Sequence, residues 1–82
     1  MDIYLTINET STETGIPVYT LRYWEKVFPI VLTPLRTKGN QRRYCSRDIK
    51  IVLQIKKLLK EDLYSIAGAR KILEKNMEKQ LL

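Results

Sequence analysis

The sequence predicts a mainly α-helical fold, a winged helix-turn-helix of about four helices with a short two-stranded wing hairpin. Apolar residues recur at helical spacing in four stretches, which are separated by glycine, proline or serine. The first two stretches are about three residues apart, around Gly15, as in a helix-turn-helix. A basic stretch centred on Gly39-Asn40 then predicts a hairpin, because both residues tolerate the positive φ of a tight turn. We expect a single domain over residues 1–82, with the helix-turn-helix at about 6–28, the wing at about 34–45, and helices 3 and 4 at about 46–79.

Composition limits the functional classes. The chain has 82 residues, 44 % of them hydrophobic, which suits one small globular domain. It contains no histidine, a single cysteine (Cys45) and no glycine-rich phosphate loop, so we expect no enzyme activity, no metal site and no cofactor. We also expect a cytoplasmic protein, since neither a signal peptide nor a long apolar run is evident.

The helix-turn-helix has clear boundary signals. Thr6 and Glu9 form the pattern of a capping box, and Gly15 suits the end of a helix over Ile7 to Thr14. Pro17 suits the start of a second helix, which ends near Val27 before Pro29.

The second helix has two distinct faces. Its apolar face, expected in the core, holds Val18, Leu21, Trp24 or Glu25, and Phe28. Two tyrosines and two basic residues share another face, where phenolic hydroxyls and a guanidinium could reach phosphates or base edges. That face holds Tyr19, Arg22, Tyr23 and Lys26.

Positive charge is concentrated around the predicted wing. Residues 36–50 carry six basic residues and one acidic residue, a net charge of +5, whereas residues 1–21 carry three acidic residues and no basic one. The whole chain has a net charge of +6. Localised positive charge of this kind indicates an anionic partner.

The second half of the chain is predicted to be two helices. Ser46 is expected to cap helix 3, with Asp48 in its first turn, and Ser65 to cap helix 4 after a break at residues 61–64. We expect one core cluster with a largely buried Trp24. Its predicted members are Ile7, Leu21, Trp24, Tyr44, Ile49, Val52, Leu53 and Ile66.

The order and spacing of several motifs resemble the N-terminal DNA-binding domain of bacterial MerR-family transcription regulators. The resemblance covers about residues 4–75. It rests on seven segments: Ile7-Asn-Glu9, Gly15-Ile-Pro17, Thr20-Leu-Arg-Tyr-Trp-Glu25, Pro34-Leu-Arg-Thr-Lys-Gly39, Arg42-Arg-Tyr44, Ser46 with Asp48-Ile49, and Ile66-Ala-Gly-Ala-Arg70.

The resemblance implies that helix 2 enters the major groove of DNA and that the wing contacts the flanking backbone. Thr20, Arg22 and Tyr23 match DNA-contacting positions, Arg42 matches the wing arginine, and Tyr44 matches an aromatic residue that packs the wing onto the domain. With the basic and aromatic residues identified above, the predicted DNA-binding residues are Tyr19, Thr20, Arg22, Tyr23, Lys26, Arg36, Lys38, Arg42 and Arg43.

The sequence departs from the family pattern at the second glycine of the wing, where Asn40 stands, and at the helix 3–helix 4 corner, where Leu63 replaces a glycine. Family members usually continue into a long dimerisation helix and an effector domain. We therefore expect the native full-length protein to be a homodimer through a C-terminal helix that this chain lacks, and this chain to be a monomer or a weak dimer.

Two alternatives stay open at the level of sequence. One is an excisionase-like or architectural protein that bends DNA, which the short length favours. The other is a protein-interaction module for an acidic partner, which the mixed tyrosine and arginine face of helix 2 disfavours.

Overall fold

The computed structural model describes residues 3–81, with side chains through residue 79. Four α-helices and a two-stranded antiparallel hairpin make up the described fold, and a π-helical segment extends the third helix. The elements are α1 (Ile7–Thr14), α2 (Val18–Val27), β1 (Leu35–Arg36), β2 (Arg42–Arg43), α3 (Ser46–Lys56), the π-helical segment Lys57–Glu61, and α4 (Ile66–Leu81).

The start of α1 has the predicted capping box. The Glu9 amide donates to the Thr6 hydroxyl over 3.1 Å, and the Thr6 amide donates to the Glu9 carboxylate over 2.8 Å. Gly15 ends the helix in the left-handed region at φ 76°, where its amide donates to the Ser11 carbonyl. The Lys56 ammonium of α3 donates to the carbonyl of Thr14 over 2.9 Å, so a cation sits at the negative end of α1.

Helix α2 turns its predicted apolar face inward. Leu21, Trp24 and Phe28 are buried, and Trp24 is 3 % exposed, as predicted. Pro17 precedes the helix and provides no side-chain cap, while the Phe28 amide closes the last turn on the Trp24 carbonyl. The face with Tyr19, Arg22, Tyr23 and Lys26 therefore belongs to a helix that is anchored by three buried side chains.

The hairpin pairs Leu35 with Arg43 and Arg36 with Arg42. Its turn differs from the prediction, because only Asn40 has a positive φ, of 62°, and Gly39 does not. The Asn40 amide donates to the Thr37 carbonyl, and the Thr37 amide donates to the Gln41 carbonyl. These bonds form a three-residue loop, a β-turn followed by one left-handed residue, so asparagine supplies the conformation that we assigned to both residues.

The N-terminal segment adds a rung beside the hairpin. Leu5 and Tyr44 form an isolated antiparallel bridge, with both amide-to-carbonyl distances at 2.8 Å. The Tyr44 side chain is fully buried, as expected for a residue that packs the wing onto the helices.

One prediction about α3 was wrong. Its N-cap is Cys45 and not Ser46, since the Asp48 carboxylate accepts hydrogen bonds from the Cys45 amide at 3.0 Å and from its Sγ at 3.3 Å. The helix continues past Lys56 as the π-helical segment Lys57–Glu61, and so reaches the predicted break at residues 61–64. Leu63, at φ 59°, then interrupts the helical conformation. Helix α4 follows, with Ser65 as its N-terminal cap.

The core is larger than predicted and differently distributed. Leu53 was expected inside but is 45 % exposed, because Val52 and Ile55 occupy the buried side of α3. Ile7, Ile49 and Ile66 are only partly buried, at the edge of the core. The buried residues of the hydrophobic core are Ile16, Leu21, Trp24, Phe28, Val31, Leu32, Tyr44, Val52, Ile55, Ala69 and Leu73.

Candidate nucleic-acid interface

The predicted recognition face of α2 is exposed. Tyr19 is 75 % exposed and Tyr23 is 49 % exposed, and both aromatic rings lie on a helix whose opposite side is buried. Arg22 and Lys26 are also exposed, and Thr20 is half-buried. Two large aromatic residues kept in water next to two cations form a surface suited to a ligand that offers both anions and polar edges.

The hairpin carries the second group of predicted residues. Lys38 is exposed in the turn. The Arg43 guanidinium donates to the backbone carbonyl of Arg42 over 2.9 Å and to the Gln41 side chain over 3.3 Å, so its fork is partly fixed along β2. Arg36 is exposed on β1 and donates to Asn40 over 3.4 Å.

One carboxylate connects the two groups. Glu25, on the inner side of α2, pairs through Oε1 with Nη2 of Arg36 at 3.3 Å and through Oε2 with Nε of Arg42. The Tyr44 hydroxyl donates to the same Oε2 over 2.7 Å. We call these four residues the Glu25 cluster. The side chain of Glu25 is 11 % exposed and that of Arg42 is 19 % exposed, so this contact is shielded from water more than the Arg36 side chain, which is 41 % exposed.

The environment of Tyr44 keeps it a hydrogen-bond donor. Burial raises the pKa of its hydroxyl, and the hydrogen bond to the Glu25 carboxylate raises that pKa further. The Tyr44 hydroxyl therefore stays protonated at physiological pH. The Glu25 carboxylate thus accepts a hydrogen bond from this hydroxyl in addition to its contacts with the guanidinium groups of Arg36 and Arg42.

Glu25 was missed as a functional residue at the level of sequence. Its spacing from Leu21 placed it beside Trp24 on the apolar face, with no stated role. A signal was present, since an acidic residue on a buried helix face requires a cationic partner, and the nearby wing is rich in arginine. The sequence does not say which arginines are chosen, because that depends on the register of a hairpin formed by later residues.

Two classes of site are not found in the part of the chain that the structure describes. Within residues 3–81 there is no group of three or more histidine, cysteine, aspartate or glutamate side chains placed to hold a metal ion. No helix among the described residues is long and apolar enough to cross a membrane.

Comparison with known families decides the classification of the chain. Residues 5–76 match the MerR HTH family of regulatory proteins. The chain belongs to the MerR family. The matched range includes both helices of the helix-turn-helix, the wing and most of α4, so the resemblance identified from the motifs is confirmed.

Curated relatives of this MerR-family chain are longer proteins. It is 38 % identical over 72 residues to the HTH-type transcriptional repressor CarH of Myxococcus xanthus, a match that covers 88 % of this chain and 23 % of CarH. It is 33 % identical over 61 residues to the putative heat shock protein HspR of Streptomyces coelicolor, covering 74 % of this chain and 39 % of HspR. The chain therefore spans about a quarter to two fifths of the length of these relatives.

A solved structure has the same fold. The crystal structure of HiNmlR, a MerR family regulator that lacks the sensor domain and is bound to promoter DNA, superposes with a TM-score of 0.70 at 25 % identity. The superposition covers 92 % of this chain and 58 % of that one. The predicted fold, four helices with a two-stranded wing, is confirmed.

Proposed function

We propose that this MerR-family chain binds double-stranded DNA in a sequence-specific manner, as the DNA-binding domain of a bacterial transcription regulator, and that it catalyses no reaction. The observation that carries the proposal is the exposed α2 face, where Tyr19, Arg22, Tyr23 and Lys26 stand in water on a firmly anchored helix. The named relatives support it, since one is a transcriptional repressor and one regulator of the family is bound to promoter DNA.

The proposed contacts divide between the helix and the hairpin. Tyr19 and Thr20, in the first turns of α2, would reach base edges in the major groove, and Arg22, Tyr23 and Lys26 would hold the adjacent phosphates. Arg36, Lys38, Arg42 and Arg43 would supply the positive charge of the wing beside the flanking backbone. The family match over residues 5–76 favours this function over the excisionase-like alternative.

The greater length of CarH and HspR supports a proposal about the native assembly. A native full-length protein would work as a homodimer through a further C-terminal helix, on two half-sites related by symmetry. Its place of action would be the bacterial nucleoid in the cytoplasm, because DNA is its proposed partner.

The test begins with selection of duplexes from a randomised library by the purified chain at low salt. Dissociation constants are then measured for the selected duplex and for a scrambled duplex of the same composition at one fixed salt concentration. We expect the selected duplex to bind at least about tenfold more tightly, the discrimination that one good base contact provides. Equal affinity for the two duplexes would remove sequence-specific recognition, and no binding at low salt would favour the protein-partner alternative.

A further inference from the structure

The register of the hairpin places two like charges opposite each other. Arg36 on β1 and Arg42 on β2 are directly paired, so their side chains leave the same face of the hairpin. Directly opposed cations destabilise a two-stranded ribbon, which is only marginally stable by itself. This wing therefore needs an anion on that face to hold its strands together.

Glu25 supplies that anion from another element. Its two carboxylate oxygens are divided between the two strands, with Oε1 on Arg36 at 3.3 Å and Oε2 on Arg42. The Tyr44 hydroxyl donates to Oε2 as well, and Tyr44 is buried immediately after β2. One side chain of α2 thus binds both strands of the wing and the residue that anchors the wing to the core.

We propose that Glu25 is a positioning residue that fixes the wing relative to the recognition helix, and that Arg42 acts on DNA through Glu25 and not by contacting a phosphate. This inference rests on the proposed DNA-binding function and refines the role given there to Arg42. The Nε of Arg42 faces the carboxylate, and its side chain is 19 % exposed. By contrast, Lys38 extends into water from the turn of the same hairpin.

The consequence is a wing that is ordered before DNA arrives. Tyr19 and its neighbours on α2 can meet base edges only if the wing meets the backbone at a matching distance, and Glu25 sets that distance in the free protein. Preorganisation of this kind lowers the ordering cost of binding without adding a contact.

Salt dependence separates a positioning role from direct contact with a phosphate. Loss of one phosphate contact lowers the steepness of log K against log salt by about one and weakens all duplexes similarly. Loss of wing placement weakens the selected duplex more than the scrambled one and leaves the slope unchanged. Three single variants are compared on both duplexes, Glu25→Gln, Arg42→Gln and Lys38→Gln, the last being a matched loss of one wing cation.

We expect Arg42→Gln to weaken binding to the selected duplex by about tenfold with an unchanged slope, and Lys38→Gln to lower the slope by about one. Glu25→Gln should also weaken that duplex, although it makes the protein more positive. In the double variant Glu25→Gln/Arg42→Gln the loss should match that of Glu25→Gln alone, since the contact that Arg42→Gln removes is already lost there. If Arg42→Gln lowers the slope by one, or if Glu25→Gln binds DNA as well as or better than the parent, the proposal is overturned.

A measurement without DNA keeps this inference separate from the proposed function. Hydrogen exchange of the Thr37 amide, which donates to Gln41 across the hairpin, should accelerate about tenfold in Glu25→Gln, while the Ala69 amide in α4 should be unaffected. Unchanged exchange at Thr37 would overturn the positioning role even if DNA binding is specific. If Glu25→Gln fails to fold, Arg42→Gln decides the question through its slope and its own Thr37 exchange. A parent protein without duplex preference would refute the proposed function and leave the exchange result standing.

Discussion

At the scale of single residues, Leu63 shows the cost of one side chain in an unfavourable backbone region. Its φ is 59°, in the left-handed region, and its side chain is 80 % exposed, so little burial offsets the strain. Leu63 is also a departure from the family pattern, in which a glycine stands at this corner. The conformation survives because the amide of Tyr64 closes the turn on the Leu58 carbonyl over 2.8 Å.

Leu63→Gly should therefore stabilise the domain by roughly 0.5 kcal/mol, as relief of the left-handed strain exceeds the added entropy of the unfolded chain. Urea unfolding measures the change. Leu53→Gly is the control, since Leu53 is an exposed leucine inside α3 and should lose about 1 kcal/mol in the same assay. Destabilisation by both substitutions would show that Leu63 is not strained.

Thr10 is a second residue whose local environment allows the effect of a substitution on stability to be predicted. It is fully buried, and its hydroxyl oxygen has no hydrogen-bond partner among the described residues. Thr14, one turn later, donates to the Thr10 carbonyl over 2.8 Å and accepts from the Ile16 amide over 3.3 Å.

Thr10→Val should be neutral or stabilising by up to about 1 kcal/mol, because it removes a buried polar group without breaking a bond. The matched change Thr14→Val should cost about 1 kcal/mol or more, because it removes a satisfied hydroxyl. Thermal and urea unfolding of the two variants would test this order of stabilities. The reverse order would mean that the Thr10 hydroxyl is satisfied in solution.

At the scale of elements, helix α2 and the wing hairpin differ in how firmly they are anchored to the core. Helix α2 is fixed by Leu21, Trp24 and Phe28, whereas the hairpin has only two residues in each strand and depends on Glu25 and Tyr44 for its attachment. Side chains on the rigid element can read base edges with a fixed geometry. Side chains on the turn of the hairpin are better suited to phosphates, which require less exact placement.

We predict that Tyr19→Ala or Thr20→Ala costs about 1–3 kcal/mol on the selected duplex and less on a scrambled one. Arg43→Ala should weaken both duplexes by a similar factor, because its guanidinium would straddle a phosphate. Titrations of both duplexes at one salt concentration check the assignment. The roles are reversed if Arg43→Ala abolishes discrimination while the α2 variants keep it.

At the scale of the whole molecule, the placement of positive charge determines how steeply the affinity for DNA is expected to fall with salt concentration. The net charge is +6, and most of it lies between residues 36 and 50. Glu25 engages both Arg36 and Arg42, but the Arg42 side chain is 19 % exposed whereas that of Arg36 is 41 % exposed. Arg36 therefore stays available to phosphates, and only Arg42 is removed from the set of phosphate-binding cations that the sequence suggests.

If Arg22, Lys26, Arg36, Lys38 and Arg43 together neutralise about five phosphates, log K should fall with log salt at a slope of about −4 to −5. Fluorescence anisotropy of a labelled duplex between low and moderate salt gives the slope. A value near zero would show that the exposed cations do not meet the DNA backbone.

The packing of α4 leads to a prediction about assembly. Ala69 and Leu73 are buried, and Ile66 and Met77 pack against the core, so the apolar stripe of this helix is used within the chain. We therefore predict that this chain is a monomer or a weak dimer at tens of micromolar, whatever the native protein does. Sedimentation equilibrium tests it, and a tight dimer would contradict the prediction.

Local patterns in the sequence determined much of this protein. The capping box of Thr6 and Glu9, the stop at Gly15 and the alternation of faces along α2 act within one or two turns of chain, so the bounds of α1 and α2 and the burial of Trp24 followed from neighbours in sequence. The basic turn around Gly39-Asn40 located the hairpin in the same way. The exposed face with Tyr19 and Arg22 was likewise visible in the helical spacing.

Tertiary structure alone decided the features that depend on distant partners. The sequence could not exclude Leu53 from the core, because which side of α3 is buried depends on how that helix packs against α1 and the rest of the core. Nor could it place Glu25 between Arg36 and Arg42, since that contact joins residues 11 and 17 positions apart through the hairpin register. Local propensity acts over a few residues, whereas the pairing of a buried carboxylate is set by the folded arrangement that brings cations to it.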